Sequence, residues 1–168
     1  MYPIATVTVL IGAPGAGKST VARSLAADGI AVLSLDEARA IRGEHEGDQR
    51  ATPAAFAYVA QHLHENLAAA RPVAIDGTGA RRRDRVRWLR LAGEHGAPAT
   101  ALVVWAPLDV CLERNAARPE HRHVPEHVVT RMWNTIDGLG DDELVDEGFS
   151  RVDRVTTALA QDLGDDAE

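Results

Sequence analysis

The chain has one cysteine, Cys111, in 168 residues. That excludes an intramolecular disulfide and a thiolate zinc cage, and the residue reads as part of an apolar helix face. Lysine is equally scarce: Lys18 stands alone among 18 basic residues, the other 17 being arginine. Aromatic residues make up only 4%, so Trp88, Trp105 and Trp133 read as packing rather than as a base-stacking platform. No apolar run approaches the ~20 residues a membrane-spanning helix needs. The longest clean stretch, Ala101 to Ala106, is strand-sized. Met1-Tyr2-Pro3 offers no basic region leading into an apolar core, so no secretory leader is expected. A cytoplasmic protein with no membrane partner is the expectation.

The apolar share of 45% is ordinary for a globular chain, and the length suits one domain spanning 1–168. The net charge of -7 is unevenly spread. Residues 1–140 hold 15 acidic and 16 basic side chains, whereas 141–168 hold 10 acidic and 2 basic ones. The acidity therefore belongs to the C-terminal stretch, with a solvated tail expected at about 162–168.

Hydrophobic patterning predicts strands at Ala5–Ile11, Ile30–Leu35, Pro72–Asp76, Thr100–Ala106 and Phe149–Val155. Helices are predicted from the P-loop to Gly29, from Pro53 to about Ala70 with Thr52 as N-cap, and over Asp84–Glu94. Others run from Pro107 through Arg114, from Glu126 to about Gly138, and at the C-terminus. Gly43–Thr52 reads as a loop. Strands alternating with helices indicate an α/β fold with a largely parallel sheet, whose ligands bind beyond the C-terminal strand ends.

The first such end carries Gly12-Ala13-Pro14-Gly15-Ala16-Gly17-Lys18-Ser19-Thr20, the phosphate-binding G-x-x-x-x-G-K-S pattern. Its glycines let backbone N–H groups wrap a phosphate, Lys18 brings a cation to the outer phosphates, and Ser19 offers a hydroxyl to Mg²⁺. The following helix points its positive end at the anion. Asp36 lies where the second strand would emerge beside the P-loop and suits a general base for a hydroxyl attacking the γ-phosphate. It suits a helix N-cap equally, although Ser34 could cap instead. Arg39, a helical turn on, could hold an anionic substrate group. Asp76, in Asp76-Gly77-Thr78, could orient the water shell of the metal or be an ordinary turn residue. Ser19, Asp36 and Asp76 are thus the metal candidates. Six arginines crowd Arg81 to Arg90, read as phosphate contacts or as surface charge. Arg114, Arg118 and Arg122 recur every four residues, read as phosphoryl-neutralising arginines or as helical salt-bridge partners. Metal-ligand spacing is missing from the seven histidines.

Taken in order, these motifs resemble the kinase domain of the bacterial polynucleotide kinase–phosphatase family of RNA end-repair enzymes. The likeness runs from about Val7 to Val155. It includes the P-loop, Ser34-Leu-Asp36-Glu-Ala-Arg39, Gly-Asp48-Gln49, Ala-Ile-Asp76-Gly-Thr78, Val-Cys-Leu-Glu-Arg114-Asn115-Ala-Ala-Arg118 and Glu-Gly-Phe149. The resemblance implies a three-layer α/β/α P-loop kinase fold with a central, mainly parallel five-stranded sheet and a helical arginine-bearing lid at about 113–138. It implies ATP or another NTP as donor, Mg²⁺ as cofactor and a 5′-hydroxyl RNA or DNA end as acceptor. Asp36 would be the general base, Arg39 the contact to the acceptor phosphate, and Arg114 and Arg118 the contacts to the nucleotide phosphates. Lys18, Asp36, Arg39 and Arg118 form the candidate catalytic set; Asp36, Arg39, Asp76, Thr78 and Arg85 form the candidate acceptor set. Two features depart from the family: Gly79 replaces its usual asparagine, and the lid is longer around Pro119–Pro125. Phosphatase and ligase modules are absent, so such activities would come from separate proteins acting in trans. A small-molecule kinase for a metabolite or antibiotic, and a nucleotide-binding regulatory module, are the alternatives.

Overall fold

The computed structural model describes residues 5–157. Five strands, β1 (Val7–Ile11), β2 (Ala31–Ser34), β3 (Val73–Asp76), β4 (Ala99–Trp105) and β5 (Arg151–Thr156), form one sheet in the order β2-β3-β1-β4-β5. Every neighbouring pair is parallel. The helices are α1 (Lys18–Ala27), α2 (Leu35–Arg42), α3 (Thr52–Ala68), α4 (Arg82–Glu94), α5 (Leu108–Ala116), α6 (Glu126–Asp137) and α7 (Asp141–Glu147). Short 3-10 turns occupy Gln49–Ala51 and Glu120–Arg122.

The period of two in β1 builds the layers. Val7, Val9 and Ile11 face a core shared with Val59 and Leu63 of α3 and Trp88 and Leu91 of α4. Leu10 faces the other way, onto Ala22 of α1 and Val104 of β4. Burial of each such side chain contributes about 1.5–3 kcal/mol, and β1, buried on both faces, gives the phosphate-binding loop a fixed starting point. A smaller cluster of Ala16, Ala106, Cys111 and Val129 binds that loop to α5 and α6. The result is the expected α/β P-loop kinase fold, with helices on both faces of a sheet that is wholly rather than mainly parallel.

Three local expectations change. Thr52 does not cap α3: Ala51 occupies that position, and Asp48 instead caps the 3-10 turn leading into the helix by accepting from the Arg50 N–H at 3.1 Å. The last strand begins at Arg151, because Phe149 is a core plug, 2% exposed, whose N–H closes on the Leu144 carbonyl. Before it lies α7, which the sequence pattern did not reveal. It is short and acidic, with Leu144 its one buried apolar residue; its three first-turn acids suit the helix dipole, and Gly148, at φ 122°, ends it. The expected terminal helix and the acidic tail at 162–168 lie outside the described residues. No helix among the described residues is long and apolar enough to cross a membrane.

Candidate active site

The loop from β1 to α1 has the backbone a phosphate cradle requires. Gly15 and Gly17 take φ of 83° and 101°, a region that side chains disfavour. Space is equally restrictive: a Cβ at Gly15 would lie 2.3 Å from the Cys111 carbonyl oxygen, and one at Gly12 2.7 Å from that of Val104. The N-terminus of α1 has no side-chain cap and no acid in its first turn, so its orphan N–H groups and positive dipole end are available to an anion. Ser19 is exposed there. Lys18 folds back, its Nζ donating to the carbonyls of Gly12 at 2.7 Å and Ala13 at 3.0 Å. Burial lowers the Lys18 pKa to about 8, against the pull of Asp76 and Asp36.

Asp36 sits in the first turn of α2, beside the loop. The cap is Ser34, whose hydroxyl accepts from the Glu37 N–H at 3.3 Å, so the Asp36 carboxylate is not consumed by capping. It accepts from Arg39 Nη2 instead. Arg39 also donates from Nε to the Glu46 carbonyl at 2.8 Å. Asp76 ends β3 in register with Ser34. Burial raises its pKa and the like charges of Asp36 and Glu37 add to this, while Lys18 opposes it. Arg118 completes the group: burial lowers its pKa, with Arg122 acting in the same sense and Asp36 and Asp76 against it. Lys18, Asp36, Asp76 and Arg118 thus share one electrostatic neighbourhood, drawn from four separate segments of the chain.

The remaining candidates act on the frame. The Thr78 carbonyl accepts from the Gly12 N–H at 2.9 Å, tying the β3 end to the P-loop. Arg114 Nη1 donates to the Gly15 carbonyl at 3.3 Å and to Thr157 Oγ1 at 2.9 Å. Arg85 corrects its assignment to the acceptor. It is 2% exposed, bound through Nε and Nη2 to Glu147 at 2.8 and 2.5 Å, and it donates from Nη1 to the carbonyls of Gly79 and Ala80. Four of its five N–H donors are engaged, the two on Nη1 holding the loop after β3, and its burial keeps it from a ligand. The other arginines of α4 also meet protein groups: Arg83 meets Asp84, Arg90 meets Glu94, Arg82 approaches Glu147, and Arg87 covers the Phe56 ring at 4.9 Å. Gly79 has a physical reason: φ is 60°, and a Cβ would lie 2.9 Å from both Ile11 Cγ1 and the Leu10 carbonyl.

Three residues to which the sequence analysis assigned no role also support the site. Thr157 donates its hydroxyl to the Ala16 carbonyl at 2.6 Å. Asn115, fully buried, exchanges two hydrogen bonds with the backbone of Val124 at 2.7 and 3.1 Å, closing the loop that carries Arg118. Glu147 neutralises Arg85. Asn115 and Glu147 stand inside motifs that carry the family resemblance, but their partners appear only in the fold; Thr157 leaves no trace until the fold joins distant segments.

Residues 7–139 match the model of the AAA domain family. The chain belongs to that family. Comparison with curated proteins finds no significant match. Among solved structures, a candidate kinase from Chloroflexus aurantiacus superposes with a TM-score of 0.74 at 16% identity, over 96% of this chain and 90% of that one. A chain of the Pnkp1/Rnl/Hen1 RNA repair complex gives 0.70 at 21% identity, over 82% of this chain and 45% of that one. A gluconokinase from Sinorhizobium meliloti gives 0.59 at 23%, over 96% and 88%. At these identities the likeness is one of fold.

Proposed function

We propose that this AAA domain protein is an ATP- and Mg²⁺-dependent kinase acting on the 5′-hydroxyl of an RNA or DNA end. The observation that carries the reading is the capping of α2 by Ser34, which leaves the Asp36 carboxylate in the neighbourhood of Lys18 and paired to Arg39. The fold likeness to a chain of an RNA repair complex supports it.

In this reading the acceptor oxygen forms a bond to the γ-phosphorus as the bond from that phosphorus to the β–γ bridging oxygen breaks. Asp36 takes the hydroxyl proton, and Lys18 and Arg118 face the charge spread over the phosphoryl oxygens. Arg39 orients Asp36 and offers its guanidinium to an acceptor phosphate. The donor set suits magnesium: Ser19 exposes a hydroxyl, and the half-buried Asp76 carboxylate lacks enough neighbouring positive charge to hold its pKa down. Among the described residues no group of three or more His, Cys, Asp or Glu could hold a metal ion. The ion would accordingly rest on Ser19 and nucleotide oxygens, with Asp36 and Asp76 acting through water. Bound there, it neutralises phosphate charge.

The test is kcat/KM for a nucleoside against its 3′-phosphate, with wild type and Arg39→Ala. Wild type should prefer the 3′-phosphate by about 10- to 150-fold, the worth of a charge-assisted hydrogen bond. Arg39→Ala should erase the preference: both acceptors lose whatever rate the orientation of Asp36 contributes, and the phosphorylated one loses the further factor of about 10 to 150. Absence of preference, or a neutral metabolite outperforming both, would reassign the protein as a small-molecule kinase; ATP binding without transfer to either class would make it a regulatory module.

A further inference from the structure

The segment carrying Arg118 meets the loop after α2 around Glu46. Its backbone carbonyl accepts from Arg39 Nε at 2.8 Å, on the side of the proposed general base. Its carboxylate faces the other way, with Oε2 3.0 Å from Arg122 Nε and 3.6 Å from His121 Nε2. That oxygen is buried and has no partner in hydrogen-bonding geometry, so charge rather than a directed bond holds it. The backbones touch alongside: a Cβ on Gly47 would lie 2.1 Å from the His121 carbonyl oxygen. The His45 ring also stands edge-on to that of His121 at 5.9 Å. The two ends of the bridge lead into the site. One passes through Arg39 to Asp36; the other lies on the turn whose Arg122 acts on both Arg118 and Asp76.

We propose that Glu46 is a positioning residue that couples the two sides of the site: when the 117–124 segment settles over the donor, Glu46 fixes the 43–48 loop and with it Arg39 and Asp36. The inference rests on the reading of Arg118 as a donor-phosphate contact. A coupling of this kind is typically worth about 5- to 150-fold between the two sides. Gly47 is explained by the same contact, because a side chain there would force the two segments apart. The adjoining Asp48, bound to the Glu44 and Arg50 N–H groups, stiffens the loop's far end so that a pull at Glu46 reaches Arg39.

Hydrogen–deuterium exchange of the full chain, with and without Mg²⁺ and a non-hydrolysable ATP analogue, tests the coupling without naming the acceptor. In wild type the analogue should slow exchange in 12–20, in 117–124 and in 43–48. Glu46→Gln should keep the first two effects and lose the third, and should lower kcat with little change in the KM for ATP. Arg122→Gln should reproduce this from the other side. The swap Glu46→Arg with Arg122→Glu should restore protection of 43–48, which a merely structural role for either residue would not produce. Protection of 43–48 persisting in both single variants would overturn the proposal, as would wild-type protection confined to 12–20 and 117–124. No protection even at 12–20 would instead overturn the nucleotide reading beneath it.

Discussion

Lys18 is half-buried in the loop it serves, with two carbonyls as its partners. Because burial brings its pKa down to about 8, the free protein carries the ammonium below that pH and loses it above. kcat/KM reports groups of the free enzyme, so kcat/KM for ATP should fall roughly tenfold per unit once pH passes about 8. The unfolded chain keeps the ordinary lysine value of 10.5 and therefore binds more protons between about 8 and 10.5, so this residue makes stability rise with pH across that window. A kcat/KM flat to pH 10 would mean that Lys18 does not meet the donor as an ammonium. Asp36 makes a different prediction. Asp36→Asn should lower kcat by about 10²- to 10⁴-fold while calorimetry finds ATP affinity within about threefold, since Ser34 and not Asp36 holds the start of α2. A large loss of affinity with normal kcat would make the residue structural.

At the scale of elements, the strands and the P-loop were legible because each is written locally: a β-branched apolar run, then glycines at fixed spacing, then a helical stripe. The ends of α3 and β5 were less so. Thr52 looks like a cap from its neighbour Pro53, but Asp48 four residues earlier takes the capping role for the turn that feeds the helix. Arg85 shows the limit most clearly. In sequence it is one of six arginines; in the fold α4 turns it inward onto Glu147 at the end of α7, a helix whose composition does not announce it. Both side chains are 2% exposed, so removing one leaves a buried charge alone. Glu147→Ala should cost about 3–5 kcal/mol in urea unfolding, whereas Arg85→Met with Glu147→Leu should recover most of it. A loss under about 1 kcal/mol for Glu147→Ala would show that water already screens the pair. Glu147 also fixes the Gly79–Ala80 loop through Arg85, which is why the assignment of Arg85 to the acceptor fails while its effect on the site remains.

At the scale of the whole molecule, the parallel sheet brings the C-terminal ends of β1, β2 and β3 to one edge, and P-loop, Asp36 and Asp76 gather there from distant parts of the chain. The edge strand β5 contributes no candidate catalytic residue, yet the residue just beyond it, Thr157, reaches across β4 to hold the Ala16 carbonyl and to receive Arg114. The family match stops at 139, eighteen residues short of that contact. Recognisable ancestry and working machinery therefore have different extents in this protein. Thr157→Val, which keeps every letter of the phosphate-binding signature, should weaken binding of an ATP analogue by about 1 kcal/mol in calorimetry; unchanged affinity would mean the loop stands without it. A search that trims sequences to their shared region would discard that residue before anyone could ask what it does, and the same blind margin exists wherever a fold's last strand returns to brace its first loop.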